Sequence, residues 1–435
     1  MNTIRGRGQG GGAMRDYRSA IGVKTSASPA PPFGALLQTI MIQELGSQTD
    51  PKYEHSKISG CKYMASFNWL KSEMPTIVMP GMPPKWTPLK EPEELKEDSG
   101  EYYRDVNAAH YSDHPIEPAV RALLAQNDSF PVEGVDLFAC GSTMGNLLGF
   151  VRDDHRDFRF VVESIGETTL FIRRPNSPTE KIPDVRGYGH AFPEKYTTYD
   201  KEVQGSDSHQ RLIMYDFAGF QCIVRSEVDG YFADESGKQE LPSGILNLPD
   251  LERLRMKNGG IRIPQEAVFD IKTRSARRPG DYLAKEMGRL WVRQIPHFVL
   301  AYHERGTFKD IKVQDIRREM AAWEKDHGRE IDKLAVLIAK ITSRARSKPD
   351  ERFEVCCQAP GILEMRHVGG VFEPALPDDL HKVWTAHLSD SDASQDAGSG
   401  AEGSEDFESG DEDDDVDKDY TLCSGECEYC GRCKK

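Results

Sequence analysis

Two strand-like segments that end in charged residues place the strongest constraint on this chain. They are "QCIVRSEVDGYF", residues 221–232, and "EAVFDIKTRS", residues 266–275. Because strand side chains alternate between the faces of a sheet, Glu227 and Asp229 share one face, about 7 Å apart. Asp270 and Lys272 likewise share one face of the second strand. If the strands are neighbours, three carboxylates and one ammonium group form a single patch; the competing interpretation is an exposed edge strand.

Carboxylates crowded in this way repel one another unless a cation lies among them. Mg²⁺ and Mn²⁺ prefer oxygen ligands, so either ion suits such a patch. A metal beside a lysine can polarise a phosphate and activate a water molecule, which is the chemistry of phosphodiester hydrolysis. The pattern Glu-x-Asp followed by Asp-hydrophobe-Lys is that of PD-(D/E)XK nucleases. A metal centre of this kind does not distinguish RNA from DNA.

Charge and composition divide the 435 residues into segments. The net charge is −15, but residues 389–419 alone contain 14 acidic residues and one lysine, so the remainder is close to neutral. We predict a disordered leader over residues 1–55, a folded domain over 56–385, an acidic disordered linker over 386–420 and a Cys-rich tail over 421–435. Within the domain, strands, a helix and more strands alternate, which predicts an α+β fold with mixed central β-sheets flanked by helices.

The order of these segments resembles the decapping exoribonuclease family (DXO-type), which has a PD-(D/E)XK nuclease-like fold. The strands "SEVD" and "DIKTRS" carry the resemblance, together with an opening "VDLFACGSTMGNLL", the run "GYGHAFPEKYTT" and the helix-to-strand segment "LWVRQIPHFVLAYHERG". The similarity spans roughly residues 56–375. It implies a hydrolase acting on RNA 5′ ends with Mg²⁺ or Mn²⁺.

The resemblance also assigns roles to individual residues. It implies that the metal is bound directly by Glu194, Asp229, Asp270 and the carbonyl of Ile271. Glu227 reaches the metal through water, and Lys272 positions the nucleophile. Gln294 corresponds to a catalytic glutamine on the following helix, although a plain helix-surface glutamine is an equal alternative.

The sequence departs from the family in two site positions. Gly141 stands where the family has an arginine that grips phosphate, and Asp270 replaces the usual glutamate. Substrate phosphates could instead be bound by a local group of arginines, Arg225, Arg274, Arg277 and Arg278. The alternative for this group is a solvated strand end.

The end of the chain contains four cysteines with metal-ligand spacing. Cys423, Cys427, Cys430 and Cys433 follow the pattern C-x3-C-x2-C-x2-C. Four thiolates so close together suit one Zn²⁺ or an iron–sulfur cluster, with Cys61 a distant further ligand. An unstructured or redox-reactive tail is the alternative. Cys140, Cys222, Cys356 and Cys357 lie in apolar strands and are predicted to be core residues.

Two functions follow from these observations. The first is a metal-dependent decapping or 5′-end quality-control nuclease. The second is a non-catalytic relative that binds RNA or a 5′–3′ exoribonuclease; the lost arginine favours it, and the retained carboxylates favour the enzyme. No apolar run of 18 residues and no apolar leader segment occur, so we expect no membrane span and a nuclear or cytoplasmic location.

Overall fold

The computed structural model describes residues 29–47, 51–127, 130–154, 156–183, 185–235, 252–278 and 280–392. The strands are β1 Leu36–Met41, β2 Ile58–Leu70, β3 Thr76–Gly81, β4 Lys85–Trp86, β5 Leu137–Cys140, β6 Phe158–Ile165, β7 Thr168–Arg173, β8 Thr197–Thr198, β9 Ser206–Phe217, β10 Phe220–Glu227, β11 Gly230–Tyr231, β12 Arg255–Gly260, β13 Val268–Ser275, β14 His297–Glu304, β15 Thr307–Asp315, β16 Phe353–Ala359 and β17 Ile362–His367. The helices are α1 Glu44–Ser47, α2 Val106–His110, α3 Glu117–Gln126, α4 Gly141–Val151, α5 Ala191–Tyr196, α6 Tyr282–Arg293, α7 Arg317–Asp326, α8 Gly328–Ser347 and α9 Asp378–Asp392.

The strands form two mixed sheets. The large sheet has the order β1-β17-β16-β6-β7-β5-β10-β9-β2-β3-β12, and the small sheet has the order β15-β14-β13-β11-β4-β8. Most neighbours are antiparallel, and some of them form hairpins, such as β6 and β7, which the sequence predicts around Gly166. Parallel pairs, including β5 with β10 and β13 with β14, place strand ends side by side at the junction between the sheets. The predicted α+β class is confirmed.

Helices cover both faces of the large sheet. On one face, α4, α6 and α8 pack on the sheet, and the predicted apolar stripe of α8 is buried there: Ile331, Leu334, Ala335, Ile338 and Ile341. On the other face, α3 and the first part of α9 cover a second core around Phe138 and Leu212. A helical stripe of this width is stable only when it faces a core, which fixes α8 against the sheet.

Two predicted boundaries are wrong within the described residues. The predicted disordered leader contains β1, which pairs antiparallel with β17 and closes one edge of the large sheet. The predicted linker starts too early, because α9 continues to Asp392. Strand β1 has only six residues, so its pairing with β17 rather than its own composition decides its structure. Residues 1–28, most of the acidic linker and the Cys-rich tail lie outside the described residues.

A search of the described segments for membrane spans finds no helix with both the length and the apolarity that crossing a bilayer requires.

Candidate active site

The candidate site lies where the chain crosses from the large sheet to the small one. Strand β10 ends at Glu227, and the chain enters β11 of the small sheet at Gly230, so Glu227 and Asp229 lie at the junction. Strand β13 is the antiparallel neighbour of β11, with Gly230 opposite Phe269. This pairing brings Asp229 beside Asp270, as the sequence predicts. The backbone amide of Ile271 donates a hydrogen bond to Asp229 Oδ2 at 2.6 Å.

The surroundings of Asp229 and Asp270 shift the pKa values of the two carboxyl groups in opposite directions. Loss of hydration and the charge of Asp270 raise the pKa of Asp229 to about 7. Burial acts in the same direction on Asp270, but the charges of Arg293, Arg289 and Lys272, together with the hydrogen bond from Arg293, outweigh it and lower the pKa of Asp270. Arg293 Nη2 lies 2.5 Å from Asp270 Oδ2. Of two crowded acids, the one paired with arginine therefore ionises first, and the other retains its proton to near-neutral pH.

Glu227 is the third acid of the site. Its side chain is exposed to solvent, yet protein surrounds it closely, as expected for a group lining a cleft. Loss of hydration raises the pKa of Glu227 to about 8, and the charges of Asp229, Asp207 and Asp105 contribute to the increase. Within the described segments, its carboxylate has no hydrogen-bond partner. Glu227 is therefore the acid most available to a bound cation.

Lys272 is fixed by a residue that sequence analysis missed. Its Nζ lies 3.0 Å from Glu286 Oε1 on α6, and Arg289 Nη1 lies 2.7 Å from the other oxygen of Glu286. Glu286 is buried, and Arg289 and Lys272 lower its pKa although burial alone would raise it. The signal was present in the sequence, since Glu286, Arg289 and Arg293 recur at i, i+3 and i+7 along one helix face.

Glu194 does not join the other carboxylates at the junction, so the structure does not bring this predicted metal ligand together with Asp229 and Asp270. It lies on α5, whose Phe192 and Tyr196 pack on the face of the small sheet that carries Phe269 and Ile271. Because side chains alternate along β13, Asp270 points to the opposite face, toward α6. Glu194 instead lies near Tyr102 and His190. Burial and the charges of Asp98 and Glu194 raise the pKa of Tyr102, whereas burial outweighs the same two charges and lowers the pKa of His190.

Gln294 is also placed elsewhere. It caps the end of α6 in the left-handed region, with φ of 50°, and its amide donates to Trp291 O at 2.6 Å. There it lines a separate groove of about 290 Å³ with Met320 and Glu324 among its walls. This placement puts Gln294 away from the acids of the junction, and the side chain that reaches Asp270 from the end of α6 is Arg293.

The predicted arginines fall into two groups. Arg225 lies in register with Cys140 on the adjacent parallel strand, is buried, and has an Nη1 with no hydrogen-bond partner in the described part of the chain. Arg274 is engaged within the protein, because its guanidinium lies over the Tyr282 ring at 4.7 Å and 3.8 Å from Glu286.

The other two arginines lie on the surface beyond the end of β13. Arg277 lines a depression of about 430 Å³ together with Glu304, Arg305, Thr307 and Lys309. Arg278 is exposed beside it. Five residues separate Asp270 from Ser275 at the end of β13, so the depression begins about 17 Å from the acids. The position suits the backbone of a polymeric substrate better than the reacting phosphate.

The predicted core cysteines are buried and unpaired: Cys140, Cys222, Cys356 and Cys357. Cys61 is a partly buried free thiol. Cys423, Cys427, Cys430 and Cys433 lie outside the described residues, and the zinc or iron–sulfur site there stays a prediction.

The donor chemistry at the junction fits a hard divalent cation, since Glu227, Asp229 and Asp270 offer carboxylate oxygens and their crowding leaves two raised pKa values. In the described segments, no three His, Cys, Asp or Glu side chains are grouped closely enough to hold an ion. The bond from Arg293 to Asp270 is one physical reason. The carbonyl of Ile271 as a ligand stays a prediction.

The raised pKa values predict how stability depends on pH without metal. Folding raises the pKa of Glu227 to about 8 and that of Asp229 to about 7, so the folded chain binds protons that the unfolded chain has lost. Their contribution to stability is present below the unfolded values and falls as the pH rises through about 5 to about 8. In EDTA, the melting temperature should fall less steeply over this range in Glu227→Gln than in the wild type. Glu319→Gln, on an exposed part of α7, is the control and should follow the wild type.

Comparison with solved structures shows that this two-sheet fold is similar to that of Rai1, a decapping exoribonuclease. S. pombe Rai1 matches with a TM-score of 0.53 at 10% identity over 76% of this chain and 99% of that chain. Scheffersomyces stipitis Rai1, in complex with (3′-NADP)+ and calcium ion, matches with a TM-score of 0.53 at 9% identity over 82% of this chain and 99% of that chain. The resemblance predicted from the sequence is therefore confirmed at the level of the fold.

Residues 44–360 match the family model described as "Domain of unknown function (DUF8563)", and the chain belongs to this family. A comparison with curated proteins gives no match.

Proposed function

We propose that the protein is a divalent-metal-dependent hydrolase of RNA 5′ ends, acting in decapping or 5′-end quality control in the nucleus or cytoplasm. The observation that carries the proposal is the meeting of Glu227, Asp229, Asp270 and Lys272 at the junction between the sheets. Acids crowded enough to raise the pKa values of two of them are typical of functional sites. The complex of S. stipitis Rai1 with (3′-NADP)+ and calcium ion supports a nucleotide substrate and a divalent cation.

Each residue has a role that its contacts support. Asp229, Asp270 and Glu227 would hold the ion. When bound, a divalent ion supplies charge that polarises a phosphate and lowers the pKa of a coordinated water. Lys272 is kept beside Asp270 by Glu286, so its ammonium group is positioned to orient the attacking water.

Arg225 provides a buried guanidinium for a phosphate oxygen. It is buried at the end of β10, two residues before Glu227, and its Nη1 has no partner among the described residues. An unpaired buried donor costs free energy in the absence of an acceptor. A phosphate in the cleft would satisfy it.

The second candidate function is a non-catalytic scaffold that binds RNA or a 5′–3′ exoribonuclease. The ion pair between Arg293 and Asp270 favours it, because this pair neutralises one acid without a metal. The positions of Glu194 and Gln294 away from the junction favour it as well.

Incubation with 5′-triphosphate, capped and NAD-capped RNAs distinguishes the two functions. The hydrolase should release the modified end with Mg²⁺ or Mn²⁺ and stop when EDTA is added. Binding of the same RNAs or of an exoribonuclease, without hydrolysis under any of these conditions, would establish the scaffold.

The surface depression near Arg277 predicts a salt-dependent RNA contact. Arg277→Ala and Arg305→Ala should each weaken binding of a 5′-phosphorylated RNA and reduce the slope of log K against log salt by about 0.7. Fluorescence anisotropy at several salt concentrations measures both quantities. Lys382→Ala, an exposed position on α9, is the matched control and should leave the slope unchanged. A slope that stays the same in all three variants would place the RNA on another surface.

A further inference from the structure

Arg293 reaches across the site from the last turn of α6. Its Nη2 lies 2.5 Å from Asp270 Oδ2, its Nε donates to Arg289 O at 3.1 Å, and its Nη1 donates to Glu227 O at 3.4 Å. The side chain is buried, and a cation at a helix C-terminus is also favoured by the helix dipole. Arg293 is therefore held in one place by three hydrogen bonds.

Gly141 makes room for this arginine. A Cβ atom added to Gly141 would lie 2.8 Å from Arg293 Cγ and 3.2 Å from Cδ, closer than side chains pack. The family resemblance implies a phosphate-binding arginine at this position. In this chain the space belongs to the stem of Arg293, so an arginine at 141 would displace Arg293 rather than restore the family site.

The charges of the site show what Arg293 does. On the side facing α6, the site contains three acids and three cations, so their charges balance without a metal. The acids are Asp229, Asp270 and Glu286, and the cations are Lys272, Arg289 and Arg293. Among the cations of the described segments, only Arg293 bonds a carboxylate that the proposed metal site requires, because Lys272 and Arg289 bond Glu286. A cation that enters the site therefore meets an Asp270 oxygen that is already occupied.

We propose that Arg293 is a built-in competitor of the divalent cation, and that its guanidinium must leave Asp270 before the ion binds there. This inference rests on the proposed metal-dependent function. Gly141 contributes to this competition, because the lack of a side chain at this position leaves room for the stem of Arg293. As a consequence, Arg293, which is not itself a metal ligand, weakens the affinity of the site for the divalent cation.

Calorimetric titration of the full chain with Mn²⁺ tests the competition directly. Arg293→Gln should bind Mn²⁺ about tenfold more tightly than the wild type, because the ion no longer competes for Asp270. Arg289→Gln is the matched control. It removes a positive charge that acts on the same two acids but bonds only Glu286, and its effect should stay below about threefold. Gly141→Ala retains every charge while crowding the arginine stem, and it should shift the affinity in the same direction as Arg293→Gln.

The outcomes separate this inference from the proposed function. If the wild type binds Mn²⁺ and Arg293→Gln does not bind it more tightly, the competition is overturned and the metal-dependent function stands. Equal gains in Arg293→Gln and Arg289→Gln also overturn it, since a general field effect then explains the change. If neither the wild type nor any variant binds Mn²⁺, the proposed function fails and this inference fails with it. Thermal unfolding of each variant confirms that it is folded, and Gly141→Ala decides the question if Arg293→Gln is not.

Discussion

Asp229→Asn should reduce hydrolysis of RNA 5′ ends by about three orders of magnitude while leaving the protein folded. Asparagine has the size of aspartate but lacks the charge that attracts a divalent ion. Its side-chain oxygen can still accept the hydrogen bond from the Ile271 amide, so the backbone of β13 should keep its position. Release of the modified end from a capped or triphosphorylated RNA, measured with Mg²⁺ and with Mn²⁺, gives the rate.

Thermal unfolding of the same variant separates loss of chemistry from loss of structure. Without metal at about pH 8, Asp229→Asn should be at least as stable as the wild type, because the mutation removes one of the crowded acids. Asp310→Asn, at an exposed position of β15, is the control and should retain full activity. Hydrolysis by Asp229→Asn at the rate of the wild type would exclude this carboxylate from the reaction.

Glu354→Gln should lower the free energy of unfolding by about 3 to 5 kcal/mol. Glu354 lies on β16 with no exposed surface, accepts two bonds from Arg159 at 2.6 and 2.8 Å, and lies 3.1 Å from Arg174 Nη1. The mutation leaves these two guanidinium groups, both largely shielded from water, without the charge that balances them. Urea denaturation followed by circular dichroism measures the change.

The matched control for this mutation is Glu364→Gln on the adjacent strand β17. Glu364 also pairs with an arginine, Arg366 at 2.8 Å, but both side chains are partly exposed. Its loss should cost at most about 1 kcal/mol, as for other solvent-accessible pairs. Similar losses in the two variants would mean that burial of the Glu354 cluster contributes little to stability.

Local patterns in the sequence predict much of the fold. The turn at Gly166 between two apolar runs predicts the β6–β7 hairpin, and the spacing of Ile331, Leu334 and Ile338 predicts the buried face of α8. Alternation along β13 places Asp270 and Lys272 on one face. These features depend on residues close together in the chain, whose geometry is fixed by the period of the helix or strand.

The tertiary structure decided the composition of the site. The sequence shows that Glu194 is on a helix, but only the packing of Phe192 and Tyr196 shows that this helix covers the wrong face of the small sheet. The sequence shows that α6 has charged residues, and a solvated helix face was an equally good explanation for them. Contact between Arg293 and Asp270 depends on how α6 lies across β13.

By itself, the sequence determined the charged strands, their three acids and the lysine that follows, because strand periodicity acts within a few residues. Only the tertiary structure decided that Arg293 fills the space over Gly141, which is 152 positions earlier in the chain, and holds Asp270. The physical reason is that a charge on a helix is stable in water or in an ion pair. Whether the charge is solvated or paired depends on the element that packs against the helix, and a local sequence pattern does not show which element that is.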